Sequence, residues 1–482
     1  MDELGIVQAY VPTPARMAGA NLALSSMEDL PGSRRSLAGA PGPALLTAQP
    51  GGKQDTYAAT PDYRGLQGWS LKSRVAWNNV WLGDPQDATG KGIKVADVEA
   101  DMPLPGHESL SGVQVQPILS GKIPVGSLLN DIYARCHATA VAGVIAGKGA
   151  ICGLAPKIDT LFVSRAAFGP VSAAEPATIC DAIWEAALKL SAGDILLIEV
   201  ERRGPPAPYD LGTHIKYTLG GPSMEDIPSM EDVPSMEDIP SMEDIPTGRL
   251  HRYIPVEHLP EDWTAIKVAT AVKGIIVVEA AGNGGENLDD EVYDQVPPQQ
   301  WYPNGGWIAA PGTWENPFRA GSGHDSGAIL VGAGAPPRGF GGRDWGVYRS
   351  RLRWSNYGSR VNVQGWGRGM VTAGYGDLQG GVDPARWYTG AFGGTSGAAA
   401  MVAGMAAAFQ SSLGPGIKAK GPEAVRKFLC ANGKPQEGAD AQAKHIGPLP
   451  VFTAAANCLT STSPKPQQMA ANYVSLFKQI SP

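Results

Sequence analysis

Three short segments of the sequence place a reactive side chain among glycine and alanine residues. Ser396 follows two glycines and precedes an alanine-rich run, and His137 precedes a similar small-residue run. Asn283 follows an apolar run that ends in Ala-Ala-Gly. A serine hydroxyl becomes a nucleophile when a base such as histidine removes its proton. An asparagine amide can donate a hydrogen bond to the oxyanion that such an attack creates. These residue types together indicate acyl transfer through a serine nucleophile.

Each of the three residues also has a purely structural interpretation. Ser396 could be the capping residue of a helix, since serine is favoured there. His137 is one of seven histidines, and Asn283-Gly284 is an ordinary turn signal. The residues around Ser396 do not read Gly-x-Ser-x-Gly, because Ala398 stands where the second glycine would be, so the nucleophile elbow of α/β-hydrolases is disfavoured.

The elements that would position these side chains are predicted from apolar runs. Strands are predicted over 93–99, 194–200 and 275–279 with a further short run at 328–331, and helices over 138–146, 182–190, 263–272 and 396–409. Buried apolar strands that alternate with helices are typical of a parallel sheet covered on both faces. The sequence therefore predicts an α/β fold, a mostly parallel sheet with helices on both faces, in one large domain.

The segments around the reactive residues resemble the subtilisin-like (subtilase) serine peptidase family. GTSGAAAMVAG at 394–404 is similar to the family's nucleophile motif GTS-x-A-x-P-x-VAG, and HATAVAGVIAG at 137–147 is similar to its histidine motif. AAGN at 280–283 looks like the segment that supplies the oxyanion-hole asparagine. GKGIKVADVEADMPLPGHESL at 90–110 looks like the strand that bears the triad acid. The order acid, histidine, asparagine and serine along the chain also matches the family.

The resemblance implies a subtilisin-like fold and a serine endopeptidase that acts on protein or peptide substrates. In that interpretation Ser396 is the nucleophile, His137 is the general base, and Asn283 assists in the oxyanion hole. No cofactor is expected, although calcium, which many relatives bind, is left open. The alternative is a catalytically impaired subtilase-like protein that only binds.

The identity of the acid that orients His137 has two main alternatives. An ungapped alignment with the family's acid-bearing strand puts Glu99 at the triad position, and a shift by two residues would put Asp97 there. Successive side chains of a strand alternate between its faces, so Asp97 and Glu99 share one face. Asp101 is a third candidate.

Three departures from the family pattern concern the predicted site. Ala138 stands where the family has glycine, and Ala400 stands where it has proline. The family's Ser-Leu-Gly-Gly edge, which pairs with the substrate backbone, is replaced by Glu201-Arg202-Arg203. We therefore expect the contacts with the substrate backbone to differ from those of the family.

The chain of 482 residues divides into three predicted parts. Residues 1–54 are expected to be a disordered or loosely ordered extension, 55–460 the catalytic domain, and 461–482 a tail. Within the domain, 221–248 holds an acidic insertion in which SMEDIP, or once SMEDVP, occurs four times over 223–246. Each unit carries two acids and a proline, so the insertion is expected to be solvated rather than packed.

Composition excludes several other functional classes. The formal net charge is −7 and no block of Lys or Arg occurs, which argues against nucleic-acid binding. No run of about 18 apolar residues and no signal sequence is visible, so no membrane association is predicted. The five cysteines form no Cys-x-x-Cys pair, and no His-Glu-x-x-His motif exists, so zinc chemistry lacks ligands. The compartment and the oligomeric state stay open.

Overall fold

The computed structural model describes residues 59–69, 89–118, 132–166, 177–205, 253–295, 314–337, 344–413 and 421–450. The predicted N-terminal extension (1–54), the acidic insertion (221–248) and the C-terminal tail (461–482) lie outside these residues. All described residues fall within the predicted catalytic domain, 55–460.

A seven-stranded parallel sheet forms the centre of the molecule. Its strands lie in the order β2-β3-β1-β4-β7-β8-β9, and every neighbouring pair is parallel. The bounds are β1 Lys94–Glu99, β2 Val115–Ile118, β3 Thr160–Arg165, β4 Ile195–Ile198, β7 Ile276–Ala280, β8 Ile329–Gly334 and β9 Val363–Trp366. This architecture confirms the predicted α/β class.

Helices cover both faces of the sheet, as the strand pattern predicts. The helices are α1 Ile132–Ala146, α2 Ala177–Lys189, α3 Pro260–Lys267, α4 Gly394–Leu413 and α5 Pro422–Ala431. Side chains of β1 alternate between the two layers: Val95 belongs to the core that contains α1 and α4, whereas Ala96 and Val98 belong to the core that contains α2 and α3. Asp97 and Glu99 share the parity of Val95, so their side chains face the α1 and α4 layer.

Short elements connect the main ones. Three two-stranded antiparallel pairs are β5 Glu201–Arg203 with β6 Tyr253–Pro255, β10 Met370–Ala373 with β11 Tyr388–Phe392, and β12 Gly433–Lys434 with β13 Leu449–Pro450. Single 3₁₀ turns occupy Tyr63–Leu66, Glu108–Leu110, Val256–His258, Glu291–Asp294 and Pro384–Arg386. A π-helical turn, Val268–Val272, continues α3.

All four predicted helices begin earlier than the sequence predicts. The start of the predicted helix 138–146 is wrong, because α1 runs over Ile132–Ala146 and His137 lies in its second turn. Helix α4 begins at Gly394, so Ser396 lies in its first turn. Ala138 and Ala400, the two departures from the family motifs, are fully buried inside these unbroken helices. Among the described helices, none combines the length and the apolar character needed to cross a membrane.

A fully buried histidine lies among the aromatic rings that pack in the same core as Leu330 of β8. His258 is 1% exposed, and its ring centre lies 5.3 Å from that of Tyr293, 6.3 Å from that of Trp314 and 5.9 Å from that of Phe318. Burial lowers the pKa of His258 to about 3. The imidazole is therefore neutral in the folded protein over the whole physiological pH range.

We expect His258 to make the fold sensitive to acid. Below the ordinary histidine pKa of about 6.5 the unfolded chain binds a proton that the folded chain rejects down to about pH 3. The free energy of unfolding should thus fall by about 1.4 kcal/mol for each pH unit across this range. In His258→Phe this contribution disappears, so urea unfolding between pH 6 and pH 4 should show a shallower loss of stability than wild type. Equal pH slopes in the two proteins would contradict the prediction, whatever the cost of the substitution at pH 7.5.

Candidate active site

Glu99 and His137 meet at the carboxyl end of β1. Glu99 is the last residue of β1, and its Oε1 lies 2.5 Å from Nδ1 of His137. The Glu99 side chain is 2% exposed and that of His137 is 14% exposed, so water competes little for the contact. The second carboxylate oxygen of Glu99 accepts the backbone N–H of Ala100 at 2.9 Å. The carboxylate is thereby held in one orientation against the imidazole.

Asp97, the alternative acid, lies buried on the same face of β1. It is 1% exposed, and its Oδ1 has no hydrogen-bond partner among the described residues. Burial, reinforced by the nearby carboxylates of Glu99 and Glu199, raises the pKa of Asp97 well above its usual range. This environment favours the neutral acid at position 97.

Asp101, the third candidate, is engaged with arginines. Its carboxylate lies 3.5 Å from Nε of Arg135 and 3.3 Å from Nε of Arg165. Its Oδ1 also accepts the backbone N–H of Met102 at 2.7 Å. These contacts place the buried carboxylate of Asp101 between two arginines just beyond β1.

Ser396 lies in the first turn of α4, and 6% of its surface is exposed. The unpaired N–H groups of a first turn carry partial positive charge, which favours negative charge near the serine. Strand β11 leads into this turn, and the ring of its last residue, Phe392, packs edge-on against His137 at 5.7 Å between centres. Through this ring contact, Phe392 packs the turn that carries Ser396 against the helix that carries His137.

Asn283 lies three residues beyond β7 with its amide fixed by Thr395. Its Oδ1 accepts both the backbone N–H of Thr395 at 2.9 Å and the Thr395 hydroxyl at 3.1 Å. With the oxygen occupied in this way, the Nδ2 donor is the end of the amide available to another acceptor. The two hydrogen bonds from Thr395, the residue before Ser396, thus decide which end of the Asn283 amide is available.

Gly394 leaves open the space between Ser396 and Asn283. A Cβ at this position would lie 3.7 Å from Oδ1 and 4.0 Å from Nδ2 of Asn283, and 3.9 Å from Cβ of Ser396. Gly394 also has φ +74°, a conformation that residues with a Cβ rarely adopt. The serine and the amide donor therefore flank one small space that any larger residue at 394 would fill.

The side chain of Asn356 stabilises the turn that carries Asn283 through hydrogen bonds. The fully buried Asn356 amide donates to the carbonyl oxygens of Ala281 at 2.7 Å and Tyr253 at 2.6 Å. Its Oδ1 accepts the backbone N–H of Glu286 at 2.8 Å. Both ends of the turn are thus fixed by one side chain.

The sequence contained little signal for Thr395 and Asn356. Thr395 belongs to the segment GTSGAAAMVAG, yet its residue type alone assigns it no contact with Asn283, 112 positions away. Asn356 lies in a Ser-Asn-Tyr-Gly stretch that reads as a turn.

Among the described residues, no three His, Cys, Asp or Glu side chains are grouped as a metal ion would require.

Comparison with known proteins finds a family model that matches part of the chain. The sequence model described as "Subtilase family" matches residues 255–445, the stretch that contains Asn283 and Ser396. No curated protein sequence matches the chain.

Solved structures of subtilisin-like proteases resemble the chain only remotely. The structure titled as a cold adapted subtilisin-like serine proteinase is 15% identical with a TM-score of 0.42, over 75% of this chain and 89% of that one. A protease from Pseudoalteromonas arctica is 17% identical with a TM-score of 0.46, over 83% and 100%. The nisin leader peptidase NisP from Lactococcus lactis is 19% identical with a TM-score of 0.43, over 82% and 94%.

Proposed function

The chain carries a serine peptidase domain of the subtilase family, and we propose that it hydrolyses peptide bonds within protein substrates through Ser396, His137 and Glu99. The observation that carries the proposal is the 2.5 Å contact between His137 Nδ1 and Glu99 Oε1. A buried carboxylate in that position selects the imidazole tautomer with its proton on Nδ1. Nε2 is then the unprotonated nitrogen that can accept the proton of a serine.

In the proposed reaction, Ser396 Oγ attacks the carbonyl carbon of the scissile peptide while His137 Nε2 takes the hydroxyl proton. Glu99 stabilises the resulting imidazolium by its negative charge. The C–N bond then breaks as His137 gives its proton to the departing amine. A water molecule, deprotonated by His137, attacks the acyl group in the second half, which releases the acid and restores Ser396.

The proposed oxyanion hole consists of Asn283 Nδ2 and the backbone N–H of Ser396. Support comes from the two bonds that Thr395 donates to Asn283 Oδ1, because they leave Nδ2 as the end of the amide available to another acceptor. Such a preset donor acts on the charge that develops in the transition state, and one donor typically contributes about 3–4 kcal/mol to lowering the barrier.

The alternative of a protein that only binds is less favoured by the same contacts. Binding requires neither a buried carboxylate against His137 nor an amide held at a fixed rotation beside a serine. Both arrangements have an evident role in acyl transfer.

Reaction with a fluorophosphonate probe tests the proposed function without knowledge of the substrate. We expect the purified full-length protein to form one covalent adduct, which peptide mass spectrometry should locate on Ser396. Protein unfolded before exposure should not react and serves as the control. Absence of an adduct on the folded protein would favour the binding alternative, and an adduct on another serine would overturn the assignment of the nucleophile.

A further inference from the structure

We infer that Glu201 is a positioning residue for the oxyanion hole, a role that rests on the proposed function. Glu201 is the first residue of β5. Its Oε2 accepts the backbone N–H of Asn283 at 2.8 Å, and a Cβ at Gly282 would lie 3.1 Å from the same oxygen. The carboxylate therefore contacts the backbone of the turn that carries the proposed amide donor.

The turn needs such a contact because glycines flank Asn283. Gly282 has φ +95°, and Gly284 and Gly285 follow directly. Glycine backbone has wide conformational freedom, so the peptide that joins Gly282 to Asn283 depends on its hydrogen bonds. Its carbonyl oxygen accepts the backbone N–H of Asn356 at 3.0 Å, and its N–H donates to Glu201.

Strand β5 gives Glu201 a fixed position from which to act. The next residue, Arg202, makes two bonds to the fully buried carboxylate of Asp262 in α3, at 2.5 and 3.2 Å. The backbone of β5 also pairs with β6, with Glu201 opposite Pro255. The segment that departs from the family pattern is thus anchored on two sides, and its first side chain is directed at the Asn283 turn.

The three contacts on this turn have separate tasks. Thr395 fixes the rotation of the Asn283 amide, and Asn356 holds the carbonyl of Ala281. Glu201 fixes the backbone nitrogen of Asn283 itself. Loss of that bond lets the Cα of Asn283 shift, and a displacement of about 1 Å at a reacting centre can cost about 100-fold in rate.

The role of Glu201 is geometric rather than electrostatic. A negative charge beside the proposed hole opposes the developing oxyanion, so the charge itself does not assist the transition state. What assists is an acceptor oxygen at the right distance from the N–H. Glutamine offers an acceptor oxygen on a side chain of the same length, so Glu201→Gln keeps the function, whereas Glu201→Ala loses it.

The rate of inactivation by the fluorophosphonate probe measures this effect on the full-length protein. In Glu201→Ala we expect the maximal inactivation rate to fall by about 10- to 100-fold while the half-saturating probe concentration changes less than about threefold. Glu201→Gln should stay within about threefold of wild type. Glu291→Ala is the matched control, because it removes an exposed carboxylate from the segment that follows the Asn283 turn. It should not change the rate.

A double-mutant cycle separates positioning from general destabilisation. In the Asn283→Ala background, Glu201→Ala should cause no further loss, because its effect is transmitted through the missing amide. An equal additional loss in that background, a Glu201→Gln rate as low as that of Glu201→Ala, or a Glu201→Ala rate equal to wild type would each overturn the inference. Wild-type protein that does not react at all would refute the proposed function instead, and the inference with it.

Discussion

Replacing Ser396 by alanine should lower kcat for peptide hydrolysis by about 10⁴-fold or more. The substitution removes one oxygen atom from the first turn of α4 and leaves the alanine-rich helix intact, since alanine is the best helix former. The nucleophile is then absent, and only the oxyanion donors and substrate binding can accelerate attack by water. Hydrolysis of an unfolded protein substrate, followed by the release of new amino termini, measures the loss.

Two further variants make the Ser396 result specific. Ser411 lies on the same helix about four turns away, so Ser411→Ala should retain activity. His137→Ala should be nearly as impaired as Ser396→Ala, and the double variant should be no worse, because the two residues act as a unit. A Ser396→Ala protein with a tenth or more of wild-type kcat would refute the serine mechanism.

The second large effect is expected at Glu99, where Glu99→Gln should lower kcat by about 10³- to 10⁴-fold. Glutamine has nearly the same shape, but its NH₂ group can donate to Nδ1 of His137 and so favour the tautomer with the proton on Nε2. That nitrogen can then no longer accept the serine proton. The variant also leaves the imidazolium without its counter-charge. Both losses act on kcat, so KM should change little.

Asp97→Asn is the matched comparison for Glu99→Gln. Burial raises the pKa of Asp97 well above its usual range and so favours the neutral acid, and asparagine is a neutral group of similar size. We expect a decrease in kcat of no more than about tenfold. If Asp97→Asn were the more damaging of the two, the acid of the triad would have to be reassigned.

Much of the fold could be predicted because burial is visible in single segments. The run 93–99 predicted a strand with Asp97 and Glu99 on one face, and the structure has that strand over Lys94–Glu99 with both side chains facing α1 and α4. Apolar runs also indicated β7 and α4 to within a few residues. These elements are buried over most of their length, so their composition alone marks them.

The helix starts could not be predicted from the same pattern. Helix α1 begins with Ile-Tyr-Ala-Arg-Cys, a mixed segment in which no glycine or proline marks a boundary. The small-residue run that follows is conspicuous because it packs against α4, and this contact, not the helix boundary, determines its composition. The sequence therefore shows where a helix is buried rather than where it begins.

The contacts that support the Asn283 turn were equally beyond the sequence. Glu201 and Arg202 were recognisable only as a departure from a family motif, and their partners are 82 and 60 positions away. A charged residue at a strand edge is ordinarily interpreted as a solvated one. Only the folded chain reveals that the first of the two faces a backbone N–H and the second a buried carboxylate.

The pairing of β5 with β6 also has a consequence for chain length. Glu201 is opposite Pro255 and Arg203 is opposite Tyr253, so the chain returns to the domain beside the place where it leaves. The ladder itself therefore holds the two ends of the intervening stretch side by side, whatever its length. We expect this junction to tolerate a change in the number of hexapeptide units, because the residues of the ladder stay the same.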